Sequence, residues 1–317
     1  MPSYEIGTMI KKLRTQKGIS QEELAYPFIS RETLSRIESG KVMPHTKTMM
    51  SLFERLGYDP TEMLQFFLTS DEADIKRIED ELYKLTAIVK RNKPEIDLEH
   101  SAKISGLLQE LENNKAYMEK PLNQQFLLKE KALYHFYLED DESALQLAYQ
   151  ALNITIPAFD EGKIAEYHLT STDHSMIITL ALIHRYEKRY SQAVDVLYQL
   201  KANEEKSILD LYARARRMSI TIRALAHALT MDSRPQEVID VCDEGMKICR
   251  DARVYLDYRA LAWYKAKALY MLGKKDEYLA LARKVYHAFD LYQEENNRDY
   301  VRNDVLNDIG VDFHLEF

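Results

Sequence analysis

Residues 19–44 read ISQEELAYPFISRETLSRIESGKVMP, and the helix signals in this segment indicate the fold of the N-terminal part of the chain. Ser30 is a favourable N-cap, and Leu34 and Ile37, three residues apart, give the helix that follows one apolar side. Ser20 opens an earlier short helix with the spacing of a capping box. Two short helices joined by a tight turn are therefore predicted, and the second has a densely polar outer face.

Apolar stripes and capping signals on either side extend this unit. Helices are predicted at residues 5–16, after Pro44 and from the run Asp59-Pro60-Thr61-Glu62, which combines a cap, a proline and an acid. The apolar residues of the first and fourth helices are Ile6, Met9, Ile10, Leu13, Met49, Leu52, Phe53 and Leu56. Together these patterns predict a five-helix domain over residues 1–69.

The charge of the chain is distributed unevenly. The net charge is −8, but residues 1–50 contain eight Lys or Arg and five Glu, which leaves this segment at +3 and the remainder at −11. A basic module on an acidic body is typical of proteins in which one part binds nucleic acid.

The motifs of this region resemble the Cro/repressor type of helix-turn-helix domain, also called the xenobiotic-response-element type. The matching parts are the Leu-Arg pair at 13–14, the Gly-x-Ser-Gln-x-x-Leu-Ala segment at 18–25 and the Ser-x-Ile-Glu-x-Gly-x-x-x-Pro segment at 35–44. Tyr26-Pro27-Phe28 departs from the family, which usually has a small residue at the turn. The alternative for this region is a solvated helix in a small bundle.

The resemblance implies that the polar face of the third helix enters the major groove of DNA. Arg31, Glu32 and Ser35 are predicted to contact base edges, because Arg bonds to guanine and Glu accepts from cytosine. Contacts to backbone phosphates, which position a protein without specifying sequence, are predicted for Gln21, Thr33, Arg36, Lys41 and Lys47. In this family the residues equivalent to Arg14 and Glu38 form a partly buried pair, so a structural role is expected for both.

The remainder of the chain is also predicted to be helical. Residues 70–119 contain two long polar helices separated by Asn92-Lys93-Pro94, and they are interpreted as a linker and first helical pair. Residues 120–317 repeat one layout four times. An alanine in a first helix (Ala132, Ala181, Ala226, Ala266) is followed twelve residues later by the entry to a second helix (Ala144, Ala193, Val238, Tyr278).

This layout resembles tetratricopeptide repeats, although its spacing is longer and most of the typical Trp, Gly and Pro positions are absent. The predicted fold class is therefore all-α, with the five-helix domain followed by a right-handed tetratricopeptide-like solenoid. The repeat region would carry regulation and dimerisation, and the stretch from residue 296 onward would cover its end. A plain helical bundle remains the alternative.

In such a stack the first helices line a concave face, and sixteen lining positions taken from the repeat register include no acid. An apolar surface with scattered cations suits an extended peptide with a carboxylate. The predicted peptide contacts are Lys129, Phe136, Arg185, Arg223, His227, Trp263, Lys267 and Tyr270. Alternatively, these are ordinary packing or solvated positions.

A helix-turn-helix followed by such repeats resembles the peptide pheromone receptors of Gram-positive bacteria, the Rgg/PlcR/PrgX group. The resemblance implies a homodimeric transcription regulator that binds an operator in double-stranded DNA and a short signalling peptide, as in quorum sensing. The second hypothesis is a repressor whose repeats bind another protein rather than a small peptide.

The sequence offers little support for an enzyme. His135, His168, His184 and His227 are dispersed, and no catalytic, metal-binding or cofactor motif is recognised. Cys242 and Cys249 have no spacing suited to a disulfide within one helix, which favours a reducing compartment. No apolar run reaches the length of a membrane span. A cytoplasmic protein without cofactor, metal or membrane partner is therefore expected.

Overall fold

A computed structural model describes residues 3–57, 70–88, 98–207, 209–255 and 257–313. These residues form helices and no strand, and the predicted all-α class is confirmed. The chain forms two compact units, residues 1–81 and residues 82–317.

The first unit begins with four short helices. They are α1 (Ser3–Gln16), α2 (Gln21–Ala25), α3 (Arg31–Glu38) and α4 (Thr46–Arg55). The capping box of α2 is complete, because Ser20 Oγ accepts from the backbone N–H of Glu23 at 3.1 Å and Glu23 Oε2 accepts from that of Ser20 at 2.7 Å. Ser30 Oγ caps α3 by accepting from the N–H of Thr33 at 3.1 Å. The helix predicted after Asp59 lies outside the described residues.

Helices α1 and α3 approach each other closely at a glycine. A Cβ atom on Gly7 would lie 1.9 Å from the carbonyl oxygen of Ile37, far inside van der Waals contact. Ile10, Leu34 and Ile37 around this crossing are at most 1% exposed. Only a residue without a side chain at position 7 therefore allows the two helices to pack at this distance.

The division between the two units falls within α5 (Ser70–Ile88). The helices that follow are α6 (Leu98–Asn113), α7 (Lys115–Met118), α8 (Pro121–Tyr137), α9 (Asp141–Thr155), α10 (Ser171–Tyr186), α11 (Tyr190–Glu205), α12 (Leu211–Met231), α13 (Pro235–Asp251), α14 (Tyr258–Met271), α15 (Lys275–Leu291) and α16 (Glu295–Ile309). Both long helices predicted in residues 70–119 are present as α5 and α6.

The pairs α8–α9, α10–α11, α12–α13 and α14–α15 are joined by turns of one construction. Each turn has three residues, and the central residue adopts the left-handed conformation. These central residues are Glu139 (φ 63°), Lys188 (φ 61°), Ser233 (φ 58°) and Gly273 (φ 75°). The repeated backbone geometry shows that the four pairs are copies of one structural unit.

The register read from the sequence coincides with these turns. The four marker alanines lie seven residues before a central turn residue, and the entry residues of the second helices lie five residues after it. All eight marker side chains are at most 3% exposed. The tetratricopeptide-like repeats are therefore confirmed, because the small first-helix residue is buried where paired helices meet.

The stacking of the pairs brings the first helices into one layer. Helix α8 contacts α10, α10 contacts α12, and α12 contacts α14, in addition to the contacts within each pair. The connection between α9 and α10 is the long one, residues 156–170, and it contains a 3₁₀ helix (Glu161–Glu166) that packs on α11. This insertion accounts for the spacing of 49 residues between the second-helix entries Ala144 and Ala193, compared with 45 and 40 residues between the later entries. At the end of the stack α16 packs on α15.

Candidate functional site

The outward face of α3 carries polar side chains that have no partner in the described part of the protein. Arg31, Glu32, Ser35 and Arg36 are exposed, whereas Leu34 and the other apolar residues of α3 are buried. No side-chain hydrogen bond or ion pair to a described residue occupies these four. They are therefore available together on one side of a capped helix.

The other predicted phosphate contacts differ in their surroundings. Lys41 is exposed beyond the end of α3, and Thr33 is half-buried, with its hydroxyl 3.0 Å from that of the capping Ser30. The side chain of Lys47 lies outside the described residues. Of this set, Lys41 and Arg36 present free cationic groups beside α3.

Glu38 fixes α3 to the two preceding helices. Arg14 donates to both of its carboxylate oxygens, from Nε at 2.6 Å and from Nη2 at 3.1 Å, and also donates from Nη1 to the carbonyl of Ile19 at 2.9 Å. Gln21 Nε2 donates to the same carboxylate at 2.7 Å. The hydrogen bond between Arg14 and the Glu38 carboxylate raises the pKa of Arg14. Gln21 thus has a structural contact that the sequence did not indicate, and its amide retains a second N–H for a phosphate.

Three of the eight predicted peptide contacts line one cavity in the second unit. Arg185 comes from α10, and Arg223 and His227 come from α12. The cavity has a volume of about 170 Å³. Its apolar wall consists of Ile178, Ala181, Leu182, Leu197, Ala224 and Ala228.

The predicted side chains of this cavity contact one another and also Asp257 and Tyr264, two neighbours that the sequence did not indicate. Arg223 Nε donates to Asp257 Oδ1 at 2.6 Å, and Ser219 donates to Oδ2 of the same carboxylate at 2.8 Å. The guanidinium of Arg185 donates to Nδ1 of His227. The ring of His227 stacks on Tyr264, with 5.2 Å between the ring centroids.

His227 is neutral in this setting. Burial, followed by the charges of Arg185 and Arg223, lowers its pKa to about 3. Burial also lowers the pKa of Arg185. No described carboxylate lies within ion-pair distance of Arg185. Because Asp257 balances only one of the two guanidinium groups, the cavity keeps an uncompensated positive charge.

The structure does not bring the other five predicted contacts to this cavity. Lys129 Nζ pairs with Glu130 at 2.8 Å, and Phe136 is 2% exposed. Trp263 is 6% exposed and packs against Tyr278 and Tyr300. These side chains serve the packing of the stack in this structure.

Lys267 and Tyr270 are engaged by the final helix. Lys267 Nζ lies 2.9 Å from Asp304 and 2.7 Å from Asp308, and Tyr270 donates to the carbonyl of Asp308 at 3.0 Å. Although the sixteen lining positions include no acid, acids from other positions pair with three of the four lining cations, which are Lys129, Arg223 and Lys267. Arg185 is the exception, with no carboxylate partner in the described part of the protein.

Two larger cavities of the second unit have the opposite charge. One, of about 640 Å³, lies between the 3₁₀ helix and α11 and is lined by Glu161 and Asp195 but by no Lys or Arg. Glu161 is ionised there, with a pKa of about 2, because hydrogen bonds from His184, Tyr149 and Gln192 outweigh its burial. The other, of about 330 Å³, is lined by three acids and one cation, which are Glu205, Glu244, Asp251 and Arg214.

The described part of the chain contains no cluster of His, Cys, Asp and Glu that could hold a metal ion. Cys242 and Cys249 are free and buried, and burial raises the pKa of their thiols to about 12 and about 11. None of the helices in the described ranges combines the length and apolar composition required to cross a membrane.

Comparison with protein families identifies the first unit. A model described as helix-turn-helix, HTH_3, matches residues 10–63. Residues 10–63 are a helix-turn-helix domain. The sequence prediction is confirmed, and within this domain α2 and α3 are the two helices that flank the turn.

Solved structures share the fold of nearly the whole chain. PlcR of Bacillus thuringiensis, in complex with the peptide PapR7 and DNA, gives a TM-score of 0.62 at 19% identity, with 95% of this chain and 99% of PlcR covered. Its apo form gives 0.58 at the same identity and coverage. ComR of S. thermophilus, in complex with DNA and its signalling peptide ComS, gives 0.53 at 17% identity, with 96% and 99% covered. No curated protein matches the chain by sequence. The resemblance to the Rgg/PlcR/PrgX group is thus confirmed at the level of the fold.

Proposed function

We propose that this protein is a sequence-specific DNA-binding transcription regulator whose repeat domain binds a short signalling peptide. The observation that carries the DNA part is the outward face of α3, on which Arg31, Glu32 and Ser35 are exposed and without partners. A helix with this exposure in a helix-turn-helix domain lies in the major groove with its N-terminal residues at base edges.

The rigidity of α3 supports this role. The Arg14–Glu38–Gln21 cluster and the Gly7 crossing fix the helix to its neighbours, so its polar side chains reach the groove in a defined orientation. Arg31 would bond to guanine and Glu32 would accept from cytosine. Gln21, Thr33, Arg36, Lys41 and Lys47 would contact phosphates, which position the domain.

The peptide part is supported by the fold and by the charged cavity. PlcR and ComR, which share this architecture, were solved with a peptide and DNA bound. In this chain the first helices form a layer, and Arg185, Arg223 and His227 meet there in a cavity that carries excess positive charge. A peptide that favours one arrangement of the stacked helices would shift the equilibrium between two states of the regulator. This role assigns no catalytic step.

We further propose that the regulator acts in the cytoplasm as a homodimer. Helix-turn-helix dimers bind two half-sites about one helical turn apart, which doubles the contact area of a small reading domain. Native mass spectrometry of the intact protein would show a dimer at micromolar concentration, and a monomer that binds a single half-site at full strength would contradict it.

To test the DNA-binding part of the proposal, the intact protein is used to select its preferred sequences from a library of random duplex DNA. We expect Arg31→Ala to relax the preference at one base pair by about 1–3 kcal/mol while random DNA is bound as before. The matched control is Arg36→Ala, which should weaken binding to selected and random DNA alike. It should also reduce the slope of log affinity against log salt concentration by about one, the value for one phosphate contact. Equal loss on both kinds of DNA for Arg31→Ala would reject the assignment.

A further inference from the structure

The three cavities described above, all lined by described residues of the second unit, differ in the charges of their lining side chains. The two larger cavities present more acids than cations, whereas the cavity between α10 and α12 presents two guanidinium groups and no acid among its lining residues. A negatively charged ligand is repelled by the first two and attracted by the third. Among these three cavities, the α10–α12 cavity is therefore the one that favours an anion.

The guanidinium groups retain donors for such an anion. Asp257 engages Arg223 through Nε only, which leaves both terminal nitrogens of Arg223 without a partner in the described part of the protein. Arg185 is half-buried and faces no described carboxylate, and its contact with the neutral His227 orients the group without neutralising it. A planar carboxylate matches the paired N–H groups of arginine.

The size and lining of the cavity limit the apolar group that can be bound there beside the carboxylate. A cavity of about 150 Å³ lined by Leu, Ile and Phe side chains holds a molecule of the size of benzene, and the present cavity of about 170 Å³ is of that order. Its walls include Ile178, Leu182 and Ala224, which favour an apolar group. One small side chain fits inside, so the rest of a longer ligand must lie outside.

We propose that this cavity binds the C-terminal residue of the signalling peptide, with its carboxylate on Arg185 and Arg223 and a small aliphatic side chain against the apolar wall. The inference rests on the proposed peptide-binding function and specifies its chemistry. A C-terminal residue carries a carboxylate and an apolar side chain on one carbon atom, whereas an internal Asp or Glu carries only the carboxylate. The mixed lining therefore favours the chain terminus.

The test uses two libraries of random heptapeptides that are identical except for a free carboxylate or a carboxamide at the C-terminus. Peptides retained by the intact protein are identified by mass spectrometry, and the best binder is measured by calorimetry in both forms. We expect the carboxamide form to bind about 10- to 100-fold more weakly, the loss typical of one buried charge-assisted hydrogen bond. We also expect the retained peptides to end in small aliphatic residues.

Variants assign the effect to the cavity. Arg185→Gln should weaken the free-acid peptide about 10-fold or more and leave the carboxamide unchanged. The matched control is Arg216→Gln, on the exposed side of α12, which should change neither. Ala224→Leu narrows the cavity and should shift the preferred last residue to Gly or Ala. Thermal unfolding of each variant shows whether its fold is intact.

The outcomes separate this inference from the function on which it rests. Equal affinity of acid and carboxamide peptides, including selection of an internal Asp or Glu, overturns the inference and leaves peptide binding in place. Retention of no peptide from either library by the folded protein overturns both. Loss of the acid preference in Arg216→Gln but not in Arg185→Gln moves the carboxylate away from this cavity and also overturns the inference.

Discussion

Removing the carboxylate of Glu38 should destabilise the DNA-reading unit by an amount that follows from its contacts. Glu38 is 5% exposed and accepts three hydrogen bonds, two from Arg14 and one from Gln21. In Glu38→Ala the guanidinium of Arg14, whose side chain is 14% exposed, would keep only its bond to the carbonyl of Ile19. Breaking a buried ion pair costs about 3–5 kcal/mol. Because Arg14 retains some contact with water, we expect about 3 kcal/mol.

Amide hydrogen exchange measures this loss separately in the two units. A cost of about 3 kcal/mol raises the exchange rate of protected amides in α1 and α3 about 100-fold. Amides in α12 of the second unit should be unaffected. The matched control is Glu32→Ala, which removes an exposed acid without a partner from the same helix and should change stability by less than about 0.5 kcal/mol. An increase in Glu38→Ala no larger than in Glu32→Ala would refute the structural role of the cluster.

Substitutions at Gly7, Gly273 and His227 test three other features of the structure. Gly7→Ala should lower the unfolding free energy of the first unit by about 3 kcal/mol, measured by amide hydrogen exchange, because the added Cβ would meet the backbone of α3. Amide protection equal to that of wild type would contradict the close crossing of α1 and α3. Gly273→Ala should cost about 1 kcal/mol in chemical unfolding, because φ is +75° with open space around the Cβ, and no loss would contradict the turn geometry. His227 has a folded pKa of about 3, so the folded state binds fewer protons below pH 6.5. The unfolding free energy of the protein should therefore decrease as the pH is lowered from 6.5 to 3, by up to about 1.4 kcal/mol per pH unit. His227→Gln should lose this part of the pH dependence, and an unchanged pH dependence would contradict the lowered pKa of His227.

Local signals in the sequence were sufficient for the architecture. The caps at Ser20 and Ser30 and the stripe through Leu34 and Ile37 predict α2 and α3, because each depends on residues within one turn of helix. The repeat register could be read from single alanines because close helix pairing requires a small residue at a fixed distance from each turn.

The lining of the α10–α12 cavity could be predicted only in part. Arg185, Arg223 and His227 meet because successive first helices contact each other, which the register implies. Trp263 and Lys267 follow the same register, but α16 packs beside them and supplies the acids that pair with Lys267. Pairing between elements that are distant in the chain leaves no periodic signal in the sequence.

Two contacts of single residues, those of Asp257 and Gln21, could likewise not be predicted from the sequence. Asp257 precedes α14 and reaches Arg223 across a separation of 34 residues. Gln21 has the position of a phosphate contact in the helix-turn-helix pattern, yet its amide also bonds to Glu38 on another helix. A motif identifies which residues face a partner, whereas the partners within the protein depend on the packed structure.

Operator affinity with and without peptide shows whether this protein couples a DNA-reading helix to a peptide-binding cavity. The intact protein, its selected operator and the best peptide from the free-acid library are titrated at constant salt. We predict that the peptide changes operator affinity about tenfold or more in wild type and in Arg216→Gln, and that Arg185→Gln requires at least about tenfold more peptide for the same change. Identical operator affinity with and without saturating peptide in wild type would contradict this coupling between the two parts of the protein.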